Sequence, residues 1–371
     1  MKVPLLDLRA QFETIKDDVL PALMEVVEAQ RFIMGDQVRE LEQRVAAASN
    51  ARFGIACASG TDALLLSLKT LDLQPGDEVV TTPFTFFATA GTIHNAGGTP
   101  VFVDIDPVTF NFDLEQVAAA ITPRTRALVP VHIFGQMVDM EGVMALAAQH
   151  GLAVIEDAAQ AIGARRKIDG TWRLAGELGT TGAFSFFPSK NLGGWGDGGM
   201  IVTQDEALAE RLRTLRTHGG AKQYHHEEIG TNSRLDTVQA AVLLKKLERL
   251  AGWNSARRER AAYYSDALAG VNDVVPPATD SANEHIFHQY TIRVPRRDEL
   301  KQHLLDRGIG CAVYYPKALH VQPCFAALGY GAGAFPEAER ACREVLSLPV
   351  YPELTREQQD LVIETIGEFY G

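Results

Sequence analysis

The sequence predicts an α/β fold built on a large, mostly parallel sheet, followed by a smaller α+β domain. Between residues 53 and 204, short and nearly continuous apolar runs alternate with helical patterns, as expected for parallel strands covered by helices on both faces. After Pro276-Pro277 this alternation stops. The chain has 371 residues, 46% of them hydrophobic, enough for a substantial core. We therefore expect a large domain over residues 1–250 and a small domain over 251–371.

The elements of the large domain are predicted from these local patterns. Strands are expected at residues 53–58, 78–82, 100–104, 127–131 and 152–155, and covering helices at 62–69, 113–120 and 140–147. Residues 235–268 indicate a long helix with a weak break at Gly252-Trp253-Asn254, which leads out of the large domain.

The small domain shows a different order of elements. Strands are expected at residues 289–294 and 312–315, and helices at 298–307, 337–345 and 355–370. Strands and helices mixed in this way are typical of an α+β arrangement.

Composition disfavours several classes of protein. Lys and Arg number 35 against 47 Asp and Glu, a net charge of −12, which argues against DNA or RNA as the main partner. No apolar run reaches the roughly 18 residues of a membrane span, and no apolar signal segment is visible, so we expect a cytoplasmic protein. The four cysteines show no metal-ligand spacing, so we expect free thiols and no metal site.

The most informative segment is the one around Lys190. This lysine lies between the apolar residues Ser185-Phe-Phe and the glycine-rich run Gly193 to Gly199. Glycines allow a close approach of another molecule, and apolar neighbours favour the neutral amine. These are the properties of a lysine that forms a Schiff base with a carbonyl compound.

Asp157 follows the predicted strand 152–155. Open α/β sheets bind their ligands at the carboxyl ends of strands, so this carboxylate is expected in a crevice. Taken alone, Asp157 could equally well be the N-cap of a helix that begins at Ala158.

Three further residues could hold a phosphate group. Gly60 and Thr61 join a strand to a helix, where free N–H groups favour an anion, and Ser185 lies five positions before Lys190. Helix capping is the simpler interpretation of Gly60 and Thr61, and an ordinary strand position is the simpler interpretation of Ser185. Phe86 could cover the face of a planar ring, although phenylalanines at such a place more often belong to the core.

Taken together, these residues indicate pyridoxal 5′-phosphate (PLP). This cofactor needs a Schiff-base lysine and a carboxylate facing its pyridine nitrogen in one site. Lys190 and Asp157 supply those two groups, and Gly60, Thr61 and Ser185 supply a phosphate site.

The motifs resemble those of the DegT/DnrJ/EryC1/StrS family of PLP-dependent sugar aminotransferases over essentially the whole chain. The matching segments are residues 4–8, 58–63, 83–89, 130–135, 156–161, 185–199 and 230–236. The resemblance implies the aspartate aminotransferase fold (fold type I) and a homodimer with active sites at the subunit interface. It assigns the Schiff base to Lys190, the pyridine partner to Asp157 and a place near the ring hydroxyl to Gln160. It also implies that Asn232 binds the phosphate of the other subunit's cofactor.

The same resemblance implies a reaction in which glutamate donates an amino group, through pyridoxamine 5′-phosphate (PMP), to a keto-sugar on a nucleoside diphosphate. Segments 190–199 and 224–236 look closest to enzymes that aminate C3 of a dTDP-linked 6-deoxyhexose or a UDP-linked uronic acid. Two alternatives stay open. One is a PLP- or PMP-dependent dehydratase that acts on a keto-sugar, although dehydratases of this family carry His in place of Lys190. The other is a regulator that binds a sugar nucleotide without turnover, as proposed for some members of the family.

Substrate contacts are expected from two further groups of residues. Arg234 could pair with a diphosphate or a sugar carboxylate, and Tyr224, His225 and His226 could contact the nucleotide sugar across the interface; solvated loop positions are the simpler interpretation. Tyr314, Tyr315 and His320 lie where the small domain of similar enzymes approaches the sugar, although packing would explain the tyrosine pair equally well.

Overall fold

The structure is a computed structural model that describes residues 1–220, 222 and 224–371. Its helices are α1 (Leu8–Ala29), α2 (Asp36–Ala48), α3 (Gly60–Lys69), α4 (Phe87–Asn95), α5 (Leu114–Ala120), α6 (Met140–His150), α7 (Glu206–Leu215), α8 (Thr237–Leu247), α9 (Leu250–Leu268), α10 (Arg297–Asp306), α11 (Pro336–Glu344) and α12 (Arg356–Tyr370). Its strands are β1 (Phe53–Cys57), β2 (Glu78–Thr81), β3 (Thr99–Phe102), β4 (Thr125–Leu128), β5 (Ala153–Asp157), β6 (Arg165–Ile168), β7 (Thr171–Leu174), β8 (Thr181–Ser185), β9 (Gly199–Thr203), β10 (Asn283–Glu284), β11 (Tyr290–Arg293) and β12 (Val345–Leu348).

The central sheet has seven strands in the order β1-β9-β8-β5-β4-β2-β3. The pairs from β8 to β3 are all parallel, whereas β9 runs antiparallel to both of its neighbours, β1 and β8. Six strands therefore end at the same edge. The predicted α/β class with a mostly parallel sheet is confirmed.

Both faces of this sheet are largely buried, which explains why its strands are mostly apolar. Val79 belongs to the core cluster on one face and Val80 to the cluster on the other. The same alternation separates Ala127 from Leu128, because successive side chains of a strand point to opposite faces.

The small domain is formed around the antiparallel pair β11–β12, with α9, α10 and α12 packed in one apolar cluster. Val3, from the beginning of the chain, is fully buried in this cluster. Its backbone exchanges hydrogen bonds with Gly308 and Gly310 at 3.0 and 2.7 Å. The division at residues 250 and 251 remains a prediction, and α9 begins at that point.

The long helix predicted over 235–268 is two helices, and its break was predicted at the wrong place. The break lies at Glu248 and Arg249, between α8 and α9. Gly252 lies inside α9, and an added Cβ there would meet open space. Leu250 and Trp253 instead pack into separate apolar clusters, which fixes the start of α9.

The strand predicted over 312–315 is also wrong. Only Ala312 pairs with a neighbour, Ser347, while Tyr314 and Tyr315 turn toward a cavity. The strand of this region is β12, whose first residue we had predicted to end a helix. Helices α1 and α2 were not predicted. Within the described part of the chain, no helix combines the length and apolar character needed to cross a membrane.

Candidate active site

A cavity of ≈ 430 Å³ opens at the carboxyl edge of the central sheet. Strands β1, β5 and β8 end there at Cys57, Asp157 and Ser185. Because these strands are parallel, residues far apart in sequence meet at this edge. Nine predicted residues line this cavity: Gly60, Thr61, Phe86, Asp157, Gln160, Ser185, Lys190, Tyr314 and Tyr315.

Lys190 lies on the loop that follows β8. Its N–H donates to the Phe187 carbonyl at 2.8 Å, and the Gly194 N–H donates to the Phe186 carbonyl at 2.7 Å. This tight turn holds Lys190 at the cavity wall. Burial lowers the pKa of the Lys190 amine to about 8, although the negative charge of Asp157 acts in the opposite direction.

Helix α8 fixes the glycine-rich loop after Lys190. The Gln239 Oε1 atom accepts from the Trp195 N–H at 2.8 Å, and the buried Lys246 ammonium donates to the Gly193 carbonyl. Burial lowers the pKa of Lys246 to about 8 as well, but this lysine does not line the cavity. A lowered pKa therefore does not identify the reactive lysine without its position.

Asp157 is only 6% exposed. Its carboxylate accepts a hydrogen bond from the Thr89 hydroxyl at 2.7 Å and one from the Ala159 N–H at 3.3 Å. Thr85 in turn lies 3.0 Å from the Thr89 hydroxyl. Burial raises the pKa of Asp157 above its ordinary value, and these hydrogen bonds and the positive charge of Lys190 oppose that shift. A cation facing this carboxylate would favour its charged form.

The start of α3 forms an anion site. The Ser59 hydroxyl caps the helix by accepting from the Asp62 N–H at 3.1 Å, so the N–H groups of Gly60 and Thr61 have no acceptor within the helix. Gly60 lies so close to Ser185 that an added Cβ would come within 2.6 Å of the Ser185 Cβ. The N–H groups of Gly60 and Thr61 and the Ser185 hydroxyl therefore lie beside one another at the cavity, an arrangement that favours an anion.

Aromatic rings form the opposite wall. Phe86 is 58% exposed and its ring centroid lies 6.4 Å from that of Tyr315. Gln160 lies beside Tyr315, and its Nε2 donates to the Tyr315 hydroxyl at 3.0 Å. Its Oε1 accepts from the Phe134 N–H at 2.7 Å. Tyr314 lines the same cavity.

The other predicted residues lie outside this cavity. Asn232 is exposed on a segment anchored by Ser233, whose hydroxyl donates to Asp62 at 2.7 Å. Tyr224, His226 and Arg234 line a separate open depression of ≈ 780 Å³. His225 is exposed beside them.

His320 does not fit the predicted substrate role. The structure buries its side chain, 3.0 Å from Glu339 Oε1 and against the ring of Phe335. It does not line the cavity, and its geometry is that of a packed core residue. We leave His320 out of the proposed site.

Several residues of the site were missed by sequence reasoning. Thr89, which holds Asp157 without lining the cavity, lies one helical turn after Phe86 in one of the matching segments, so helical spacing could have found it. His288 and Asp197 line the cavity itself. No sequence rule pointed to His288, because it follows no strand of the central sheet.

The sequence profile of the DegT/DnrJ/EryC1/StrS aminotransferase family matches residues 13–367. The chain belongs to this family. It is 54% identical to the pleiotropic regulatory protein of Geobacillus stearothermophilus, covering 100% of this chain and 99% of that one. It is 47% identical to the UDP-N-acetyl-3-dehydro-alpha-D-glucosamine 3-aminotransferase of Acidithiobacillus ferrooxidans, covering 96% and 95%. The crystal structure of S. venezuelae DesV in complex with a ketimine intermediate superposes with a TM-score of 0.96 at 42% identity, covering 100% of this chain and 98% of that one.

The comparisons confirm the predicted family, the fold type and the enzyme class: the chain is a PLP-dependent aminotransferase. The cavity has the chemistry that this cofactor requires. It combines an amine of lowered pKa, a buried carboxylate and a helix N-terminus with free N–H groups. Among the described residues, no cluster of His, Cys, Asp and Glu could hold a metal ion.

Proposed function

We propose that this aminotransferase transfers an amino group from glutamate to C3 of a keto-sugar linked to UDP or dTDP, in a homodimer whose active sites contain residues from both subunits. The observation that carries the proposal is the convergence of Lys190, Asp157 and the α3 N-terminus on one cavity. The name of the Acidithiobacillus relative, a 3-aminotransferase, supports the position of the new amine. All four cysteines are unpaired, which supports a cytoplasmic location.

The residues of the chain divide the work between binding and proton transfer. Asp157, held by Thr89, would face the pyridine nitrogen and keep it protonated. The N–H groups of Gly60 and Thr61, with the Ser185 hydroxyl, would hold the phosphate. PLP itself supplies the electron sink of the reaction when it is bound.

Lys190 would both anchor the cofactor and move protons. Its Nζ atom would hold PLP before substrate arrives, and after displacement it would act as the base that takes a proton from the substrate carbon. A pKa of about 8 leaves part of the amine neutral at neutral pH, as a base requires. Phe86 would cover the ring, and Gln160 would contact its hydroxyl in exchange for Tyr315.

The residues that one chain contributes to the cavity carry little positive charge. Among the described residues that line the cavity, Lys190 is the only Lys or Arg. A phosphate, a diphosphate and a glutamate carboxylate would all bind near it. We therefore assign Asn232, Tyr224, His225, His226 and Arg234 to the partner's active site, where Arg234 would face the diphosphate. Tyr314 and Tyr315 would contact the sugar from within the same chain.

Exposed apolar side chains support the dimer. Leu20, Met24 and Val27 are exposed on α1, and Ile33, Trp195 and Ile229 are exposed elsewhere on the chain. Leu20, Met24 and Val27 recur at helical spacing and so form one apolar stripe on α1, which is typical of a surface that another protein covers.

Two experiments test this function. The purified enzyme should transfer ¹⁵N from labelled glutamate to one member of a panel of UDP- and dTDP-linked 3-keto and 4-keto sugars, with the amine located by NMR. Lys190→Ala should lose at least about a thousandfold in rate, as expected for loss of a proton-transferring group. Substantial transfer by that variant, or loss of a hydroxyl without gain of nitrogen, contradicts the proposal.

The Geobacillus relative is named a regulatory protein, so binding without turnover is the second candidate. A regulator has no need of a Schiff-base lysine. Tight binding of a sugar nucleotide with no nitrogen transfer to any panel member would favour this second function.

A further inference from the structure

Two amide side chains connect the core of the large domain to His288. Asn254 Nδ2 donates to the Ile162 carbonyl at 3.1 Å. Asn191, the residue after Lys190, donates through its Nδ2 to Asn254 Oδ1 at 2.8 Å and to the Ile286 carbonyl at 3.3 Å. All three side chains, those of Asn254, Asn191 and His288, are buried.

This arrangement fixes the direction of every hydrogen bond in it. A carbonyl oxygen only accepts, so the Ile162 carbonyl requires the NH₂ group of Asn254, and Asn254 Oδ1 then requires the NH₂ group of Asn191. Asn191 is left with its Oδ1 atom facing His288 Nδ1, at 3.2 Å. His288 Nδ1 must therefore carry the hydrogen, and in the neutral ring Nε2 has the free lone pair.

The backbone of His288 is held as firmly as its ring. The buried Arg257 guanidinium donates to the carbonyl oxygens of Phe287, His288 and Val350 at 3.1, 3.2 and 2.8 Å. Burial keeps the pKa of His288 well below its ordinary value, and the positive charges of Lys190, Arg257 and His285 act in the same direction. The imidazole is therefore neutral at physiological pH.

The lone pair of His288 is available to the active site. His288 lines the same cavity as Lys190, and its Nε2 has no hydrogen-bond partner in the part of the chain that the structure describes. The other titratable groups on this wall are Asp157, Asp197, Tyr314 and Tyr315. Among the residues that line this cavity with Lys190, His288 therefore offers a neutral hydrogen-bond acceptor whose tautomer is fixed by Asn191.

We propose that His288 is a positioning residue for Lys190: its Nε2 accepts a hydrogen bond from the Lys190 ammonium whenever that amine has taken up a proton, and the Asn254–Asn191 pair sets the tautomer that makes this possible. The proposal rests on the proposed role of Lys190. It adds that His288 would hold the displaced Lys190 ammonium after Lys190 has taken up a proton and before it gives that proton back.

The test measures the pKa of Lys190 without turnover. The full-length enzyme is loaded with PMP, which leaves the Lys190 amine free, and is acetylated with trace acetic anhydride at a series of pH values. Mass spectrometry follows the labelling of Lys190 against the partly exposed Lys245 in the same sample. His288→Leu removes the acceptor, whereas His288→Gln can place an amide oxygen near the position of Nε2. His285→Gln is the matched control, because His285 is equally buried but does not line this cavity.

We expect His288→Leu to lower the pKa of Lys190 by about one unit, the size of a hydrogen bond to a charged group. His288→Gln should recover most of that shift, and His285→Gln should cause none. An unchanged Lys190 pKa in His288→Leu overturns the proposal, even if activity falls. ¹⁵N NMR of the histidines should show hydrogen on Nδ1 of His288, and hydrogen on Nε2 would also overturn it. A shifted Lys190 pKa supports the proposal even if no sugar of the panel accepts nitrogen, so the two failures are distinguishable.

Discussion

At the scale of single residues, burial acts on Lys190 and Asp157 in opposite directions. It lowers the pKa of the lysine and raises that of the aspartate, so both charged forms are disfavoured without the cofactor. PLP has a carbonyl that reacts with a neutral amine and a ring nitrogen whose protonated form pairs with a carboxylate. Burying Lys190 and Asp157 therefore costs free energy in the cofactor-free enzyme, whereas both side chains interact favourably with PLP once it is bound.

Lys190→Met should stabilise the cofactor-free enzyme at neutral pH. The folded pKa of about 8 lies below the ordinary value of 10.5, so the charged lysine costs free energy at low pH. Between these two values the unfolded chain binds more protons than the folded one, so the wild type gains stability as pH rises. We expect an advantage for Lys190→Met of roughly 3 kcal/mol at pH 7, since each pKa unit corresponds to about 1.4 kcal/mol, and this advantage should shrink as the pH rises above 8. Urea unfolding at several pH values measures it, and a difference independent of pH would contradict the assignment.

Thr89→Val should weaken PLP binding by about tenfold, since Asp157 loses its hydroxyl donor and its carboxylate becomes harder to keep charged. Titration of the cofactor-free enzyme with PLP measures the affinity. Thr92→Val is the matched control, because Thr92 is buried on the same helix but donates to the Ala88 carbonyl instead. Equal losses in both variants would show that Thr89 acts only through the packing of α4.

At the scale of elements, five of the seven central strands were predicted, because a strand buried on both faces reads as an apolar run. Lys190, Asp157 and Gly60 could be found because they follow such strands. Helix α1 was missed although its buried residues Gln11, Ile15, Val19 and Val26 recur at helical spacing. Exposed apolar residues on its other faces obscure this buried stripe in the sequence.

The junction between α3 and β8 gives an element-scale prediction. Gly60→Ala should lower PLP affinity at least about tenfold, because its Cβ would push the helix N-terminus away from Ser185. Gly252→Ala is the control: its Cβ would meet open space within α9, and it should stabilise the enzyme by about 0.5–1 kcal/mol. PLP titration and thermal unfolding measure the two effects. Unchanged cofactor affinity in Gly60→Ala would remove the α3 N-terminus from the phosphate site.

At the scale of the whole molecule, the residues hardest to predict are those whose role needs a second chain. Asn232 and Arg234 lie outside the cavity of their own chain. From a single chain, neither residue can be assigned a ligand on physical grounds. Only the resemblance suggested their function.

Mixing two inactive variants tests whether the sites are shared. Lys190→Ala and Asn232→Ala should each be inactive as homodimers. A mixed dimer would have one site with both residues intact, so equal amounts refolded together should recover about a quarter of wild-type activity. Glutamate-dependent transfer measures it, with a mixture of Lys190→Ala and Asp157→Ala as the control, because those two residues belong to the same site. No recovery would show that Asn232 acts within its own chain.

The burial of Val3 in the small-domain cluster has a consequence for biosynthesis. Val3 leaves the ribosome long before its partners Gly308 and Gly310 are synthesised. The central sheet can assemble in the meantime, because all of its strands precede residue 204. Val3 has to wait for these partners, so the small-domain cluster closes after the central sheet.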